Sequence, residues 1–423
     1  MNYIILLLVS FIIAEPQFTV ITNNNPSPGK IFIHSVSNFM TILDQNLEPY
    51  WMINSDNKGM DFKFNNGRLS YYHHPTQSNN NAFWIIANSS MQEIDTVRCT
   101  DGFTDFHDII VTDENTYILQ SYDQEIMDLS SVGGQEFTAV KAILRIQEID
   151  TNLNLIFDWK ASDYLNIFDY EYIITSGTAP LGQVNWMHGN SIDIDYDNNL
   201  ILSNRKSSEI IKIDRITGEI IWIIGGPTNE FEILNDPLNG VNSQHDVKRL
   251  ANGNLLVFDN GKLGEYPASR VVEYELDEEN LTANMIWQYE NPYGYLSRAM
   301  GSAQRLPNQN TFINWGSIIE NGESIGAIVM EVDYDKNVVL EIRYQDYQAY
   351  KATKSLFQFS IPMQIGDINL DDTLNIQDII FTVNYVLDNN ENHSIFHLYK
   401  VDSNLDHLIN IIDIIDIVNR VLD

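Results

Sequence analysis

Four polar residues within Asn185–Gly261 could act together on an anionic group: His188, Asn190, Arg205 and His245. Imidazole titrates near neutrality, so a histidine can serve as a neutral nitrogen nucleophile or as a proton carrier. Arginine brings fixed positive charge in a planar fork that meets several oxygens at once. His188 and Asn190 sit in N-W-M-H-G-N-S-I, Arg205 in S-N-R-K-S-S-E-I-I-K-I-D, and His245 in N-S-Q-H-D-V-K-R-L-A-N-G-N. Each stands just ahead of an apolar run or between two such runs. The order that follows is the same each time: polar turn, apolar run, turn. A repeated β unit of this kind delivers one histidine or arginine per pass to a common place.

The units themselves are visible as a recurring phrase, an apolar strand ending in Asp or Glu, a polar turn, then a strand carrying an aromatic residue. It ends at Trp51, Trp159, Trp222, Trp287 and Tyr344, with a further copy in M-Q-E-I-D-T-V-R-C near Arg98. Trp159, Trp222 and Trp287 lie 63 and 65 residues apart. Repetition of a β unit on that scale implies a solenoid or a propeller. Three or four strand candidates per unit favour propeller blades around a central channel. The copies count to six, with five or seven also compatible. The expected fold is therefore an all-β, six-bladed β-propeller over residues 15–360.

Beyond that point the composition turns acidic and the apolar spacing becomes helical. G-D-I-N-L-D-D-T-L-N-I-Q-D starting at Gly366 is repeated as V-D-S-N-L-D-H-L-I-N-I-I-D starting at Val401, 35 residues on. Asp367, Asn369, Asp371, Thr373, Asn375 and Asp378 then fall at positions 1, 3, 5, 7, 9 and 12 of a loop. In the second copy these are Asp402, Asn404, Asp406, Leu408, Asn410 and Asp413. Alternating oxygen ligands closed by a carboxylate suit calcium, with a backbone carbonyl serving at Leu408. The metal-free alternative is a pair of acidic, capped helix starts. The doubled pattern resembles a type I dockerin repeat, although Asp372 and His407 replace the usual glycine at position 6. That resemblance implies a small α-helical calcium-binding domain over residues 361–423 and a cohesin-like protein partner.

Composition narrows the function classes. The chain has 423 residues and a formal net charge of −34, which argues against nucleic acid as a partner. The single Cys99 excludes an intramolecular disulfide and a cysteine-rich zinc site, and is expected to be a buried apolar filler. Met1–Ala14 reads as a signal peptide, too short to span a bilayer, so a secreted or periplasmic protein without a transmembrane segment in its mature form is expected.

Several motifs taken in order resemble the arylsulfotransferase family, which uses aryl sulfate esters rather than a nucleotide donor. They are D-F-H-D-I at Asp105–Ile109, H-G-N-S-I at His188, S-N-R-K-S-S-E-I-I-K-I-D at Ser203, Q-H-D-V-K-R-L-A-N-G-N at Gln244, F-D-N-G at Phe258 and A-Q-R-L-P-N-Q-N-T at Ala303. The resemblance implies a six-bladed propeller with the site in its channel. It implies that His245 becomes transiently sulfated, that Arg205 holds the sulfuryl oxygens, and that His188, Asn190 and His107 line the pocket. Aryl sulfates and phenols follow as substrates, with no cofactor needed for the chemistry. Two features depart from the family pattern: there is no second cysteine for a disulfide, and Gln309 stands where N-G-N is usual. The competing reading is a non-catalytic propeller that binds a ligand or partner and carries the tail as a docking module. Convergence of His107, His188, Arg205 and His245 on one point would separate the two.

Overall fold

The computed structural model describes residues 18–35, 39–54, 58–74, 81–176, 182–261, 266–320, 323–345, 347–359, 365–369, 373–387, 400–404, 406 and 408–422. The expected signal segment Met1–Ala14 and loop residues Asp371, Asp372 and His407 lie outside these.

Six sheets, antiparallel apart from the short parallel strands Gln183–Asn185 and Glu232–Leu234, follow one another around a ring, and the fold is the expected six-bladed β-propeller. The innermost strands of blades two to six are Lys58–Asn65, Phe103–Val111, Gly189–Ile194, His245–Arg249 and Ser302–Arg305. Blade one takes its innermost strand, Ala349–Ser355, from the far end of the domain, paired with Lys30–Ser35. The strand Phe18–Asn23 in turn joins the outer edge of blade six, against Val338–Tyr344. The ring is thus latched at two places by strands about three hundred residues apart in sequence. Closure removes the free edges that an open sheet of this size would expose.

The recurring phrase is the third strand, turn and fourth strand of each blade. Its turn has the same construction throughout. Asp44, Asn88, Asp150, Asp214 and Asp277 each accept two backbone N–H groups from the residues just ahead, and Asp333 accepts that of Asn337. The side chain closes the turn in place of backbone, which is why Asp or Asn opens it. The turn also needs a left-handed residue near its end: Leu47, Met91, Leu153, Gly218, Leu281 and Lys336 all have φ between 51° and 79°.

The tryptophans that mark the period join the blades. Trp159 Nε1 donates to Gly218 O, Trp222 Nε1 to Glu278 Oε2 and Trp287 Nε1 to Tyr334 O, each at 3.0 Å. Each donor lies on one blade's fourth strand and each acceptor in the turn of the next blade. The sequence period is therefore an inter-blade joint. Trp159→Ala should remove a fully buried ring and leave that turn carbonyl unpaired, costing about 3–5 kcal/mol. A denaturation midpoint equal to wild type would refute this role.

Cys99 is buried, and burial pushes its thiol up to about 12, as suits a packed residue rather than a reactive one. Helices Ile376–Leu387 and Ile411–Leu422 follow the tail loops and pack over Ile368, Val401 and Ile417. Both begin with a reciprocal cap. Asn375 Oδ1 accepts the Gln377 N–H at 2.8 Å while Asp378 Oδ2 accepts the Asn375 N–H at 2.9 Å. Asn410 and Asp413 repeat this with Ile412 and Asn410, both at 2.8 Å. The second carboxylate oxygen of each aspartate reaches back to the loop start, to Ile368 N–H at 2.8 Å and Ser403 N–H at 2.9 Å. Capping therefore accounts for positions 9 and 12 without an ion. Among the described residues no group of three or more His, Cys, Asp and Glu is disposed to hold a metal.

Candidate active site

The candidate residues gather at the end of the channel where the innermost strands begin. His245 opens the blade-five inner strand and is buried. Its partner is Asn260, just past the neighbouring strand Leu255–Asp259, with His245 Nδ1 and Asn260 Oδ1 2.6 Å apart. The amide nitrogen of Asn260 donates to Ser297 O at 2.7 Å and to Met300 O at 2.9 Å. Those two carbonyls fix which end of the amide faces the ring. The ring must then donate from Nδ1, and the lone pair is left on Nε2. Nε2 in turn accepts a hydrogen bond from the Met300 N–H, at 3.3 Å.

His107 lies on the blade-three inner strand and is oriented by Asp105, whose Oδ2 is 2.5 Å from His107 Nδ1. The same oxygen accepts the His107 backbone N–H at 2.9 Å and the Gln120 amide at 2.7 Å. Gln120 Nε2 and the Tyr122 hydroxyl both donate to Gly189 O, at 2.9 and 2.6 Å, and so tie blade three to the loop that carries His188. Burial favours a neutral Asp105, but the charge and hydrogen bonds of His107 outweigh it and hold the carboxyl below its usual range. An aspartate anion at Nδ1 fixes the ring and leaves Nε2 as the nitrogen able to exchange a proton.

His188 precedes the blade-four inner strand and has φ +58°. A non-glycine residue there is strained, a frequent feature of functional loops. Its ring is 5.0 Å from that of His107 and nearly perpendicular to it. Arg205 N–H donates to His188 O and Lys206 N–H to Met187 O, both at 3.0 Å, which sets both cations beside the imidazole. Arg205 Nη2 donates to Arg298 O at 2.8 Å. Its buried Nε has no partner, and no carboxylate of the described residues pairs with the guanidinium. An inter-blade ion pair is thus not its role. Asn190 Nδ2 donates to Gln244 O at 2.7 Å, beside His245, and its buried Oδ1 is free.

The electrostatics follow from this crowding. Burial, then the charges of His107 and Arg205, push His188 down to about 3. Burial and then Arg205 push His245 well below the imidazole range, with His107 and His188 adding to the effect. Both rings are neutral at physiological pH, so a nitrogen lone pair stands in a field of positive charge. Such a site can attack an electron-poor centre surrounded by anionic oxygens. The four residues singled out by spacing, together with His107, all lie at this end of the channel. Sequence reasoning missed Asp105, Asn260, Gln120, Tyr122, Lys206, Arg298 and Tyr350, the last donating its hydroxyl to His107 O at 3.0 Å. Asp105, Asn260 and Lys206 stood inside D-F-H-D-I, F-D-N-G and S-N-R-K-S-S-E-I-I-K-I-D; the others carried no local signal.

Among solved structures, the fold is similar to a protein of unknown function from Bacteroides caccae (11% identity, TM-score 0.47), which covers 78% of this chain and is itself covered in full. Curated relatives include the arylsulfate sulfotransferase AssT of Escherichia coli O6:H1, 29% identical over 197 residues, and that of Lelliottia amnigena, 28% identical over 196. Either alignment takes in 37% of this chain and 33% of the relative, so the match spans a third of those proteins' length. The profile of the Arylsulfotransferase (ASST) family is broader and matches residues 15–353, all but the end of the last propeller strand and with every residue of the candidate site inside it. Motif order, blade count and that match agree: the chain belongs to the arylsulfotransferase family.

Proposed function

We propose that the protein moves a sulfuryl group from an aryl sulfate ester to a phenol through a sulfated His245. The observation that carries this reading is the Asn260-held tautomer, which leaves an unprotonated Nε2 next to Arg205, His107 and His188. In the first half-reaction the Nε2 lone pair forms an N–S bond while the S–O bond to the aryl group breaks. The departing electron pair stays on the phenol oxygen, which takes a proton from Nε2 of His107 in its imidazolium form and leaves that ring neutral, with Nδ1–H still on Asp105. In the second, the acceptor phenol gives its proton back to His107, its oxygen attacks sulfur, and the N–S bond breaks to restore His245. Arg205, with Lys206 and Arg298 close by, neutralises charge on the sulfuryl oxygens in both halves. Incubation with a chromogenic aryl sulfate and a phenol should give ping-pong kinetics. Phenol release with no sulfated acceptor would mean hydrolysis, and no release at all would reject the reading.

The acid side of the rate profile follows from the shifts. Protonation of His245 would remove the lone pair, and its affinity for protons lies well below that of ordinary imidazole. Activity should therefore persist as pH falls through 6.5. An acid limb in kcat/KM centred on the ordinary imidazole value, and lost together with His245, would contradict this.

The tail is assigned to docking, with calcium in its loops. Its oxygen donor set, Asp367, Asn369, Thr373, Asn375, Asp378, Asp402, Asn404, Asp406, Leu408 (through its carbonyl), Asn410 and Asp413 among the described residues, is of the hard type that calcium takes. Ile376 and Ile411, Ile380 and Ile415, and Leu387 and Leu422 occupy equivalent positions in the two copies, and all are exposed. A duplicated apolar patch on a small domain is what a cohesin-like partner would cover. Calcium titration of the full chain should reveal binding that is lost in Asp367→Ala with Asp402→Ala. A wild-type titration without heat or altered proteolysis would refute the calcium assignment. Export of the chain through Met1–Ala14 belongs to the same proposal. Among the described residues no helix is long and apolar enough to cross a membrane.

A further inference from the structure

The channel holds a cavity at the end opposite the histidines. Three innermost strands continue past the site residues with a charged layer: Asp108 follows His107, Asp246 follows His245, and Lys351 follows Tyr350. Lys351 Nζ is 3.1 Å from Asp108, 3.7 Å from Asp246 and 3.8 Å from Asp61. Lys63 binds Asp61 at 2.5 Å and also pairs with Asp108. These groups pair with one another across the channel, although the buried Asp61 Oδ1 makes no hydrogen bond. Beyond them lies a cavity of about 740 Å³, within the range of small-molecule sites. Most of its exposed lining is apolar, from Phe64, Ile109, Ile110, Ile194, Leu306 and Ala352 among others, while Lys63, Asp108, Asp246, Lys351 and Lys354 also border it, each in an ion pair.

Two polar groups at the cavity floor keep unused capacity. Lys248 is 34% exposed, and its contacts are long: Ile192 O at 3.3 Å, Asp193 at 3.5 Å and Asp246 at 3.9 Å. Asp193 is 20% exposed and uses Oδ2 for the Arg249 N–H at 2.6 Å. A donor and an acceptor of opposite charge therefore look into one apolar chamber. A ligand anion would face Asp193, and a ligand cation would face Lys248 and Lys63. A neutral hydroxyl meets neither repulsion: it accepts from Lys248 and donates to Asp193. We propose that the channel end bearing Lys248 and Asp193 is a separate binding site for a neutral, largely apolar molecule ending in a hydroxyl, such as a phenol or an alcohol. It rests on none of the chemistry assigned to His245.

Calorimetry on the full chain with naphthol, naphthoate and naphthylmethylamine tests this, since the three share a ring and differ in charge. Naphthol should occupy a site that Lys248→Met weakens about tenfold, while the other two bind that site more weakly than naphthol does. A photoreactive naphthol should label wild-type peptides containing Ile110, Ile194 or Leu306. Labelling confined to the histidine end, naphthol binding unchanged in Lys248→Met, or naphthoate binding the Lys248-dependent site as tightly as naphthol would each overturn the proposal.

Discussion

His245→Ala should abolish transfer, with kcat falling on the order of ten-thousandfold, as when a nucleophile that works as part of a unit is removed. The ring is held from three sides: Asn260 fixes the tautomer, Met300 N–H lies at Nε2, and Arg205 with burial keeps it unprotonated. His107 is engaged at Nδ1 with Asp105, and His188 is held by its strained loop against blade three. Wild-type enzyme quenched with donor and no acceptor should carry one sulfuryl group, labile in acid, on the peptide containing His245. His245→Ala should carry none. An adduct on His188 or His107 would reassign the nucleophile. Sequential kinetics with no adduct would leave direct transfer between two bound phenols.

The parts of this molecule legible in sequence are those whose cause is local. The Asx-closed turn recurs because each blade needs the same hairpin, so counting it counts blades, and the tryptophan that follows it in four of them makes the joint to the next blade at Trp159, Trp222 and Trp287. His188, Arg205 and His245 were legible for a related reason: each stands at the boundary between a polar turn and an apolar strand. The latch formed by Phe18–Asn23 and Ala349–Ser355 was not legible, because a pairing across most of the domain leaves no period to read. Asn260 illustrates the same limit within the site. Its letter was in view, but its role depends on carbonyls of Ser297 and Met300 in the approach to the next blade. Tyr122 and Tyr350 look like ordinary strand aromatics until the ring closes and turns their hydroxyls to Gly189 and His107. In the tail, the spacing that suggests calcium also builds two capped helices, since Asn and Asp three residues apart serve either purpose.

Arg205→Lys should lower kcat/KM by about a hundredfold, although the charge is kept. One edge of the guanidinium is anchored on Arg298 O, and Nε is buried without a partner. A planar group held by one edge presents its remaining N–H bonds in fixed directions, which suits a sulfuryl group that spreads charge over three oxygens. Lysine offers one ammonium, which cannot hold the Arg298 carbonyl and span two sulfuryl oxygens together. The pH profile separates geometry from charge. Arg205 is the largest charged influence keeping His245 unprotonated, after burial. Lysine retains a positive charge, so the acid limb should stay where it is in wild type while the rate falls. Arg205→Ala removes the charge, so His245 becomes easier to protonate and the acid limb moves to higher pH, still held below the ordinary imidazole value by burial. Full activity in Arg205→Lys would show that a point charge suffices and that the fork has no catalytic role. An acid limb unmoved in Arg205→Ala would show that burial alone keeps His245 neutral.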